Sequence, residues 1–425
     1  MIDMKHLILS ILAMLALTIP SCRKDMPGPS TNSEGQVDRL PPHWEYSLHK
    51  DGKFHSNSVI RGHLVFGDRV LVGTTEGEGD NWLSAIDIET GTELWKWNDI
   101  YQPPTEKMHI FSFYEDNGKM GYIVGSRHYS IDLGTGNTFW KIKRWSSFDE
   151  QVEGLGNTYY IFGQPTDTLT EYQTKVIYKG DFSTGEIERV LVPNFLTDHV
   201  QANRLGSVTS VIPFIEGSDT MLLVGWQDIY PDWHFVSYLG LYNLTQKVWV
   251  YEKAQLNEPA QNGVLLQPIT MYEGKAYMNV GYDLICHDVW TGEQVWKHSF
   301  TRDFLFSGFL VEDGRVIANC EDKVLYCYDA NSGGLLWKGE GAGTSSPLRD
   351  RYLNEVVYFS GGSSGFIHAV DARNGKTVWK LDPTKMGDGS DYWKPDLYVV
   401  PGNNGGKGKV IALTPMKAYC FEAYR

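Results

Sequence analysis

One short pattern of apolar and polar positions recurs along the whole chain. Its clearest copy is residues 284–296, LICHDVWTGEQVW, in which an apolar strand ends at an Asp, a Gly follows four positions later, and a Trp stands four positions after the Gly. Copies return at intervals of roughly 40 to 50 residues, and each interval holds about four short apolar runs. A period of this length with four strands per copy predicts a blade of a β-propeller.

Alignment of the copies gives three columns of repeated residues. The Asp column contains Asp87, Asp132, Asp181, Asp288, Asp329 and Asp371, with Asn243 and Glu422 as weaker members. The Gly column contains Gly91, Gly136, Gly185, Gly292, Gly333 and Gly375, and the Trp column contains Trp95, Trp140, Trp296, Trp337 and Trp379. Two copies are degenerate, since Arg189 stands where a Trp is expected and the copy at Asn243 lacks the Gly and places Trp249 two positions early.

The chemistry of a tight turn explains these residue types. An Asp carboxylate can accept backbone N–H groups of the turn, and Gly takes a positive φ angle that a Cβ atom would penalise. The Trp then begins the next strand with a large apolar surface, which a neighbouring copy is expected to cover. We therefore expect each copy to contain a β-hairpin and to pack against the next copy.

Eight copies predict an all-β fold, an eight-bladed β-propeller of four-stranded antiparallel blades. The predicted blades are 53–97, 107–143, 148–193, 206–253, 262–300, 303–339, 344–382, and 395–425 together with 43–50. The last copy has no fourth strand, whereas residues 43–48 resemble a Trp-bearing fourth strand with nothing blade-like before it. We expect this N-terminal strand to complete the last blade and close the ring, which leaves no open edge there. A seven-bladed ring is the alternative if the copy at Asn243 is not a blade.

The first 21 residues are expected to be a lipoprotein signal peptide. An apolar run from Leu7 to Ile19 follows Lys5 and is too short for a mature membrane-spanning helix. Ser21 and Cys22 follow this run and resemble a bacterial lipobox, so Cys22 is the predicted lipidation site. An ordinary signal peptide that leaves Cys22 as a thiol is the alternative. Residues 22–42, rich in Pro, Gly and Ser, are predicted to be a flexible tether to a single domain, 43–425.

Net charge and cysteine placement narrow the classes of partner and the redox chemistry. A formal net charge of −14 argues against nucleic acid and against an anionic membrane surface as ligands, so the membrane contact is expected through the lipid alone. Cys286, Cys327 and Cys420 each stand two residues before the Asp column, where other copies place Ala or Ser. We therefore expect buried free thiols rather than the disulfides that an exported chain otherwise favours.

Two copies, residues 325–337 (LYCYDANSGGLLW) and 367–379 (IHAVDARNGKTVW), closely resemble the repeat of the PQQ-like, quinoprotein-type β-propellers. The resemblance extends over nearly the whole mature chain. It implies the fold rather than a function, because the matching residues are the turn and the tryptophan. Dehydrogenases of this superfamily carry an adjacent Cys-Cys pair beside their cofactor, and this chain has neither such a pair nor a C-x-x-C-H haem motif. We therefore expect no catalytic residue, no cofactor and no metal.

Histidine and acidic residues give weak signals for a metal site. His128, His287 and His368 fall on equivalent strands, so packing within the sheets is the favoured interpretation over metal ligation. Acidic loops at 76–80 and 388–391 have the oxygen ligands that Ca²⁺ prefers, but solvated loops explain them equally well.

Insertions relative to the repeat are predicted to crowd one rim of the propeller. Two hairpins between second and third strands are enlarged, 163–175 and 225–237, and the connections before blades 2, 4 and 8 are long. Such hairpins share a rim with the connections between blades, so an exposed recognition face is predicted there, with plugging of the central channel as the alternative. The candidate binding residues are Tyr101, Trp145, Tyr172, Trp226, Asp228, Tyr230, Asp232, Trp233, His234, Tyr392 and Trp393.

These features favour a non-catalytic, monomeric lipoprotein of the bacterial outer membrane, on either its periplasmic or its outer side, that acts as a protein-docking scaffold. In its anchor, tether, blade count and length the chain resembles the propeller lipoproteins of the outer-membrane β-barrel assembly machinery, which implies an envelope protein as the partner. The second hypothesis is a polysaccharide or other small ligand stacked on the aromatic face, with Asp228, Asp232 and Asp391 accepting hydrogen bonds from hydroxyl groups. An enzyme with its own rim chemistry is the third.

Overall fold

Eight antiparallel sheets make up the described part of the chain, seven of four strands and one of five. The computed structural model describes residues 36–37, 40–49, 59–76, 80–101, 113–124, 127–143, 148–163, 176–191, 205–230, 234–258, 263–265, 269–300, 308–343, 351–360, 365–394 and 397–425. Residues 37–425 form one unit. The predicted eight-bladed β-propeller is confirmed.

Blades 1 to 4 each run from first to fourth strand in sequence order. Blade 1 contains Val59–Phe66, Arg69–Glu76, Asp80–Asp87 and Glu93–Trp97; blade 2 contains Phe113–Asp116, Lys119–Val124, Arg127–Asp132 and Thr138–Lys143. Blade 3 contains Phe148–Leu155, Thr158–Gly163, Val176–Asp181 and Ile187–Leu191; blade 4 contains Leu205–Glu216, Asp219–Ile229, Phe235–Asn243 and Val248–Gln255.

Blades 5 to 7 repeat this order, and blade 8 takes one strand from the other end of the chain. Blade 5 contains Thr270–Tyr272, Lys275–Val280, Asp283–Asp288 and Gln294–Ser299; blade 6 contains Phe309–Glu312, Arg315–Asn319, Val324–Asp329 and Leu335–Glu340. Blade 7 contains Tyr352–Leu353, Val356–Ser360, Ile367–Asp371 and Thr377–Leu381, with Gln36–Val37 as a fifth edge strand; blade 8 contains Leu397–Val400, Lys409–Leu413, Lys417–Glu422 and Trp44–Ser47. Short 3-10 turns occupy Pro383–Lys385 and Asn403–Gly405.

Each blade is an antiparallel meander, so its connections fall on two opposite faces. The turns between strands 1 and 2 and between strands 3 and 4 lie on one face, which we call the turn face. The hairpins between strands 2 and 3 and the connections between blades lie on the other, which we call the loop face. First strands of blades 3 to 8 line a central cavity of about 530 Å³, and the fourth strands therefore lie on the outside of the ring.

The N-terminal strand closes the ring, as predicted. Trp44–Ser47 pairs antiparallel with the third strand of blade 8, so that Trp44 lies opposite Cys420 and Ser47 lies opposite Lys417. The Trp44 side chain is buried, and its indole N–H donates to the carbonyl oxygen of Ile88 in blade 1 at 2.7 Å. Both the sheet of blade 8 and the contact between blades 8 and 1 therefore depend on this strand.

The end of the segment predicted to be a flexible tether, 22–42, is part of the fold. Leu40 is half-buried and packs against the apolar cluster between blades 7 and 8. The prediction of flexibility up to residue 42 is therefore wrong at this end, because the polar composition hid one apolar anchor. The predicted signal peptide and Cys22 lie outside the described residues.

A tryptophan on the fourth strand of one blade binds the Asp turn of the next. Its indole N–H donates to the carbonyl oxygen of the residue that follows the Asp column. The pairs are Trp44 to Ile88 at 2.7 Å, Trp95 to Leu133 at 2.9 Å, Trp140 to Phe182 at 3.1 Å, Trp296 to Ala330 at 2.9 Å and Trp337 to Ala372 at 2.9 Å. These five bonds run in one direction around the ring and join blade 8 to 1, 1 to 2, 2 to 3, 5 to 6 and 6 to 7.

The Asp and Gly columns prepare the turn for that tryptophan. Asp329 accepts the backbone N–H of Ser332 at 2.8 Å, as predicted for the Asp column. Gly333 has a φ angle of +68°, and a Cβ atom added there would lie 2.7 Å from the Trp296 ring. Glycine is therefore required for two reasons, the left-handed backbone and the space that the indole occupies, and only the first follows from the isolated repeat.

Small residues in the third strand lie opposite the tryptophans. Cys286, Cys327 and Cys420 pair across the sheet with Trp296, Trp337 and Trp44 respectively, and each thiol is buried. Burial raises the pKa of all three thiols to about 12. All four described cysteines are free, so the prediction of buried thiols is confirmed for them.

The two degenerate copies pack against the next blade through residues other than tryptophan. In blade 4, Tyr251 occupies the tryptophan position, and its hydroxyl donates to the carbonyl oxygen of Val289 at 2.9 Å. The assignment of Trp249 as a displaced docking residue is therefore wrong; its ring packs on Tyr242 within the blade instead. Between blades 3 and 4, an apolar cluster that includes Tyr178 fills the interface that lacks a tryptophan.

An ionic cluster joins blades 7 and 8. Blade 8 has no Asp turn that a tryptophan of blade 7 could bind, because the fourth strand of blade 8 comes from the other end of the chain. Asp371 accepts from Arg373 at 2.7 Å and from Arg425. Glu355 lies 3.4 Å from both guanidinium groups. The hydrogen bond from Arg373 is the main reason that the pKa of Asp371 lies well below its usual range, and Arg425 adds to the effect.

Gly333→Ala is expected to destabilise the protein more than Gly314→Ala. The φ angle is +68° at Gly333 and +69° at Gly314, so the backbone strain is the same. Nothing lies within 4 Å of a Cβ atom placed at Gly314. Backbone strain alone should cost about 1 kcal/mol at Gly314, and overlap with Trp296 should raise the cost at Gly333 to about 3 kcal/mol. Urea unfolding of both variants measures the difference, and equal losses would show that the indole does not constrain the turn.

Trp44→Ala is expected to lower the free energy of unfolding by about 4 kcal/mol, because a buried indole and its hydrogen bond to blade 1 are both lost. The matched control is Glu45→Ala on the same strand, whose half-exposed ion pair with Lys417 contributes little. Thermal unfolding followed by circular dichroism compares the two. Similar melting temperatures for both variants would contradict ring closure by this strand.

Stability is expected to depend on pH through Asp371. Its folded-state pKa is lower than its unfolded-state value, so its contribution is complete above about pH 4 and is lost as the pH falls. The free-energy difference between the native protein and Arg425→Ala should therefore shrink below pH 4. Lys407→Ala removes an ion pair that is 55% exposed at both ends and should show no such trend. A constant Arg425 effect across the acid range would refute this assignment.

Candidate docking surfaces

The enlarged hairpin predicted at 225–237 is mostly regular strand. The second strand of blade 4 continues to Ile229 and the third begins at Phe235, so the hairpin loop is confined to residues 230–234. Trp226 lies opposite Tyr238 in this ladder, with ring centroids 4.2 Å apart, and its side chain has no exposed surface. The prediction of an exposed loop residue is wrong for Trp226, because the extra residues lengthen two strands rather than a loop.

Asp228 and Trp393 are buried as well. Asp228 is 2% exposed on the same extended strand, opposite Val236. Trp393, 3% exposed, lies edge-on to Tyr419, with ring centroids 5.7 Å apart, and donates its indole N–H to the carbonyl oxygen of Leu381 at 3.0 Å. Their predicted exposure is therefore wrong, and Trp393 fills the core between blades 7 and 8 rather than the central channel.

Tyr101 is half-buried in the connection that leads to blade 2. Its hydroxyl donates to the carbonyl oxygen of Lys141 at 3.0 Å, and its ring lies 5.9 Å from that of Tyr129. These contacts fix the connection against blade 2, so most of the Tyr101 side chain has a packing role.

The tip of the blade 4 hairpin and the connection to blade 8 carry the remaining described candidates. Tyr230 and His234 are half-buried, with ring centroids 5.9 Å apart, and the Tyr230 N–H donates to the His234 carbonyl oxygen at 2.9 Å. Tyr392 is 37% exposed, with Lys394 Nζ 5.8 Å from its ring centroid. Trp145, Tyr172, Asp232 and Trp233 lie outside the described residues, and their role stays a prediction.

Residues 263–265 join the hairpins of blades 4 and 5 on the loop face. The Gly263 N–H donates to the Phe235 carbonyl oxygen at 3.0 Å, and the Gly281 N–H donates to the Val264 carbonyl oxygen at 3.0 Å. Tyr282, at the tip of the blade 5 hairpin, is 55% exposed. Tyr282 is not among the residues predicted from the sequence, because its turn has just two residues and carries no insertion.

The turn face of blades 4 and 5 carries an exposed apolar group that the sequence interpretation also missed. Ile215 is 53% exposed, Val248 is 50% exposed and Trp290 is 39% exposed. Phe214 lies beneath Trp290 in an edge-on contact, with ring centroids 5.9 Å apart. Ile215 follows Phe214 in the strand and therefore projects from the opposite face of the sheet. We refer to Phe214, Val248 and Trp290 as the Trp290 patch. It joins the first turn of blade 4, the second turn of blade 4 and the Asp turn of blade 5.

Histidines and acidic loops in the described residues have packing partners rather than an open ligand sphere. His368 is buried, and this burial lowers its pKa to about 3. His287 Nδ1 lies 2.9 Å from the Gly292 carbonyl oxygen. Asp388, in one of the acidic loops, accepts from the hydroxyl groups of Thr414 at 2.7 Å and Tyr419 at 2.9 Å. Within the described ranges, no group of three or more His, Cys, Asp or Glu residues could hold a metal ion.

No helix with the length and hydrophobicity needed to span a bilayer occurs in the part of the chain that the structure describes.

Comparison with known proteins matches residues 247–413 to the family described as outer membrane protein assembly factor BamB. The crystal structure of BamB from Moraxella catarrhalis is 12% identical, has a TM-score of 0.53, and is matched over 87% of this chain and 98% of that chain. Quinohemoprotein alcohol dehydrogenase from Comamonas testosteroni is 11% identical, has a TM-score of 0.58, and is matched over 92% of this chain and 78% of its own. No curated protein sequence matches this chain. The protein is therefore a β-propeller that resembles the BamB family over residues 247–413.

Proposed function

We propose that this protein is a non-catalytic docking scaffold of the bacterial cell envelope that takes part in outer-membrane protein assembly. The observation that carries the proposal is the match of residues 247–413 to the BamB family, because this range contains blades 5 to 7, parts of blades 4 and 8, and Val248 and Trp290 of the Trp290 patch. The similarity to solved structures supports the fold alone. The assembly role is inferred from the family match.

The use of residues within the fold supports a role without catalysis. The Asp, Gly and Trp columns join one blade to the next, the Cys column packs against the tryptophans within each sheet, and several described groups with shifted pKa values belong to the packing of the blades. Cys286, His368 and Asp371 are examples, with burial or an ion pair as the cause in each case. Surfaces that the repeat does not use are therefore the places where function resides.

A lipid on Cys22 would hold the ring at the membrane surface. Near its N-terminal side the described chain pairs with blade 7 through Gln36–Val37 and packs at Leu40 beside the core of blades 7 and 8. Blade 4 lies across the ring from blade 8, so a partner bound at blades 4 and 5 would not compete with the anchor for space. This separation suits a scaffold that must hold a second protein while it stays attached to the bilayer.

Glycan binding on the loop face has less support than protein docking. Stacking of sugar rings requires an exposed aromatic face, and Trp226 and Trp393 are buried. Tyr282 and Tyr392 are exposed, but they lie on different blades. A scaffold for a protein partner is therefore the function that we retain.

Co-isolation from membranes tests the proposal. The full-length protein, carrying a C-terminal affinity tag and extracted in mild detergent, is expected to co-purify with the β-barrel subunit of the assembly machinery. Cys22→Ala should move the protein from the membrane to the soluble fraction, with Cys286→Ala as the control that leaves the predicted anchor intact. Recovery without the barrel subunit, or with a glycan-uptake protein in its place, would reject the assembly role. Retention of Cys22→Ala in the membrane would reject the anchor.

A further inference from the structure

We propose that the Trp290 patch on the turn face of blades 4 and 5 is the docking site for a protein segment that combines basic and apolar side chains. The proposal rests on the scaffold function and specifies its surface and its partner. It places the docking site on the face opposite to the aromatic loops.

The fold does not require an aromatic residue at position 290. Trp290 stands two residues after the Asp column, at the exposed tip of the turn. In the six other copies that have the turn, the equivalent positions hold Glu89, Gly134, Ser183, Thr245, Asn331 and Arg373; the eighth copy, which has no Asp turn, has Tyr424 there. Polar, small and charged side chains all serve this turn, so the packing of the ring does not explain a tryptophan there.

A ring contact with Phe214 and a backbone hydrogen bond fix the position of Trp290. Its N–H donates to Asp288 Oδ1 at 2.9 Å, which makes it part of the rigid Asp turn. Its ring meets that of Phe214 at an interplanar angle of 77°. An aromatic side chain that is already ordered loses little conformational entropy on binding, which is the property of an anchor residue at a protein interface.

The exposed neighbours give Trp290 an apolar surround. Phe214, Met221, Asn243 and Val248 are paired in turn across the four strands of blade 4, so Phe214 and Val248 project from the same face of the sheet. Tyr251 on that same strand is hydrogen-bonded to the carbonyl oxygen of Val289, the residue before Trp290. Two blades therefore present one group of apolar side chains, whereas exposed apolar residues on a protein surface usually stand singly.

Charge on the same turns identifies the chemistry of the partner. Carboxylates outnumber lysines five to two on the turns of blades 4 and 5, a net charge of −3. The carboxylates are Glu216, Asp219, Glu273, Asp288 and Glu293, and the lysines are Lys247 and Lys275. The ammonium group of Lys275 is already bound to Asn331 at 2.8 Å. The acidic balance of these turns favours a segment with Lys or Arg around apolar residues and repels phosphate or other anions.

Binding of a defined peptide to the full-length protein tests the site. The probe is a short fluorescent peptide of Lys and Leu, measured by fluorescence anisotropy, and the same peptide with Glu in place of Lys is the charge control. The Lys peptide is expected to bind with an affinity that falls as salt rises, and the Glu peptide is expected not to bind. Equal binding of both peptides would overturn the proposal.

Trp290→Ser is expected to weaken binding of the Lys peptide by at least about tenfold, which is the loss typical of a central aromatic anchor. Its melting temperature should not change, because Ser183 occupies the same turn position in blade 3. Trp290→Phe should recover most of the affinity. Unchanged binding in Trp290→Ser would refute the site.

Tyr282→Ser is the matched control on the loop face, where an exposed aromatic side chain is removed from a two-residue turn. It should bind the Lys peptide as the native protein does, and loss of binding in this variant alone would move the site to the loop face. A protein that co-isolates with the barrel subunit while Trp290→Ser binds normally would keep the scaffold function and lose this surface. If the co-isolation fails and Trp290→Ser loses binding, the docking surface is supported and the assembly role is rejected.

Discussion

The hydrogen bond from a tryptophan indole to the turn of the next blade is the contact on which the rest of this structure depends. It fixes the distance between blades, it requires a glycine beneath the ring, and it requires a small residue across the sheet. A single residue type therefore accounts for the Gly and Cys columns as well as its own. Where the tryptophan is absent, a tyrosine hydroxyl makes the equivalent bond in blade 4, which shows that the acceptor carbonyl matters more than the indole itself.

A propeller that uses its repeated residues for joining blades has its turns and hairpins left for recognition. Blades 4 and 5 have the most distinctive surfaces of the described residues: an extended hairpin on one face and an exposed indole on the other. The rigid ring presents both without further ordering. Binding at either face would therefore lose little entropy from the scaffold, and affinity would be set by the partner segment.

The fold was predictable from the sequence, whereas the candidate site was not. Asp329, Gly333 and Trp337 are local features whose chemistry recurs in full in five copies, so deviations in the other copies can be recognised. Trp226 is buried because the inserted residues lengthen two strands rather than a loop. The length of the insertion is the same in both cases, so the sequence did not distinguish them. Trp290 is visible in the clearest copy of the repeat. Its significance appears only when the residues at the equivalent turn positions are compared with what the turn requires.

Closure of the ring by residues 44–47 has a consequence for the way the protein is made. The Lys417–Glu45 ion pair joins residues 372 positions apart, so one of the last steps of folding brings together the most distant parts of the polypeptide. Contacts of such high sequence separation form slowly, because the entropy of closing a long loop is lost first. A nascent chain must therefore be synthesised almost completely before its eighth blade exists. Until then, a partly folded molecule offers unpaired strands at both ends to chaperones and proteases, which makes closure itself a check that the whole polypeptide is present.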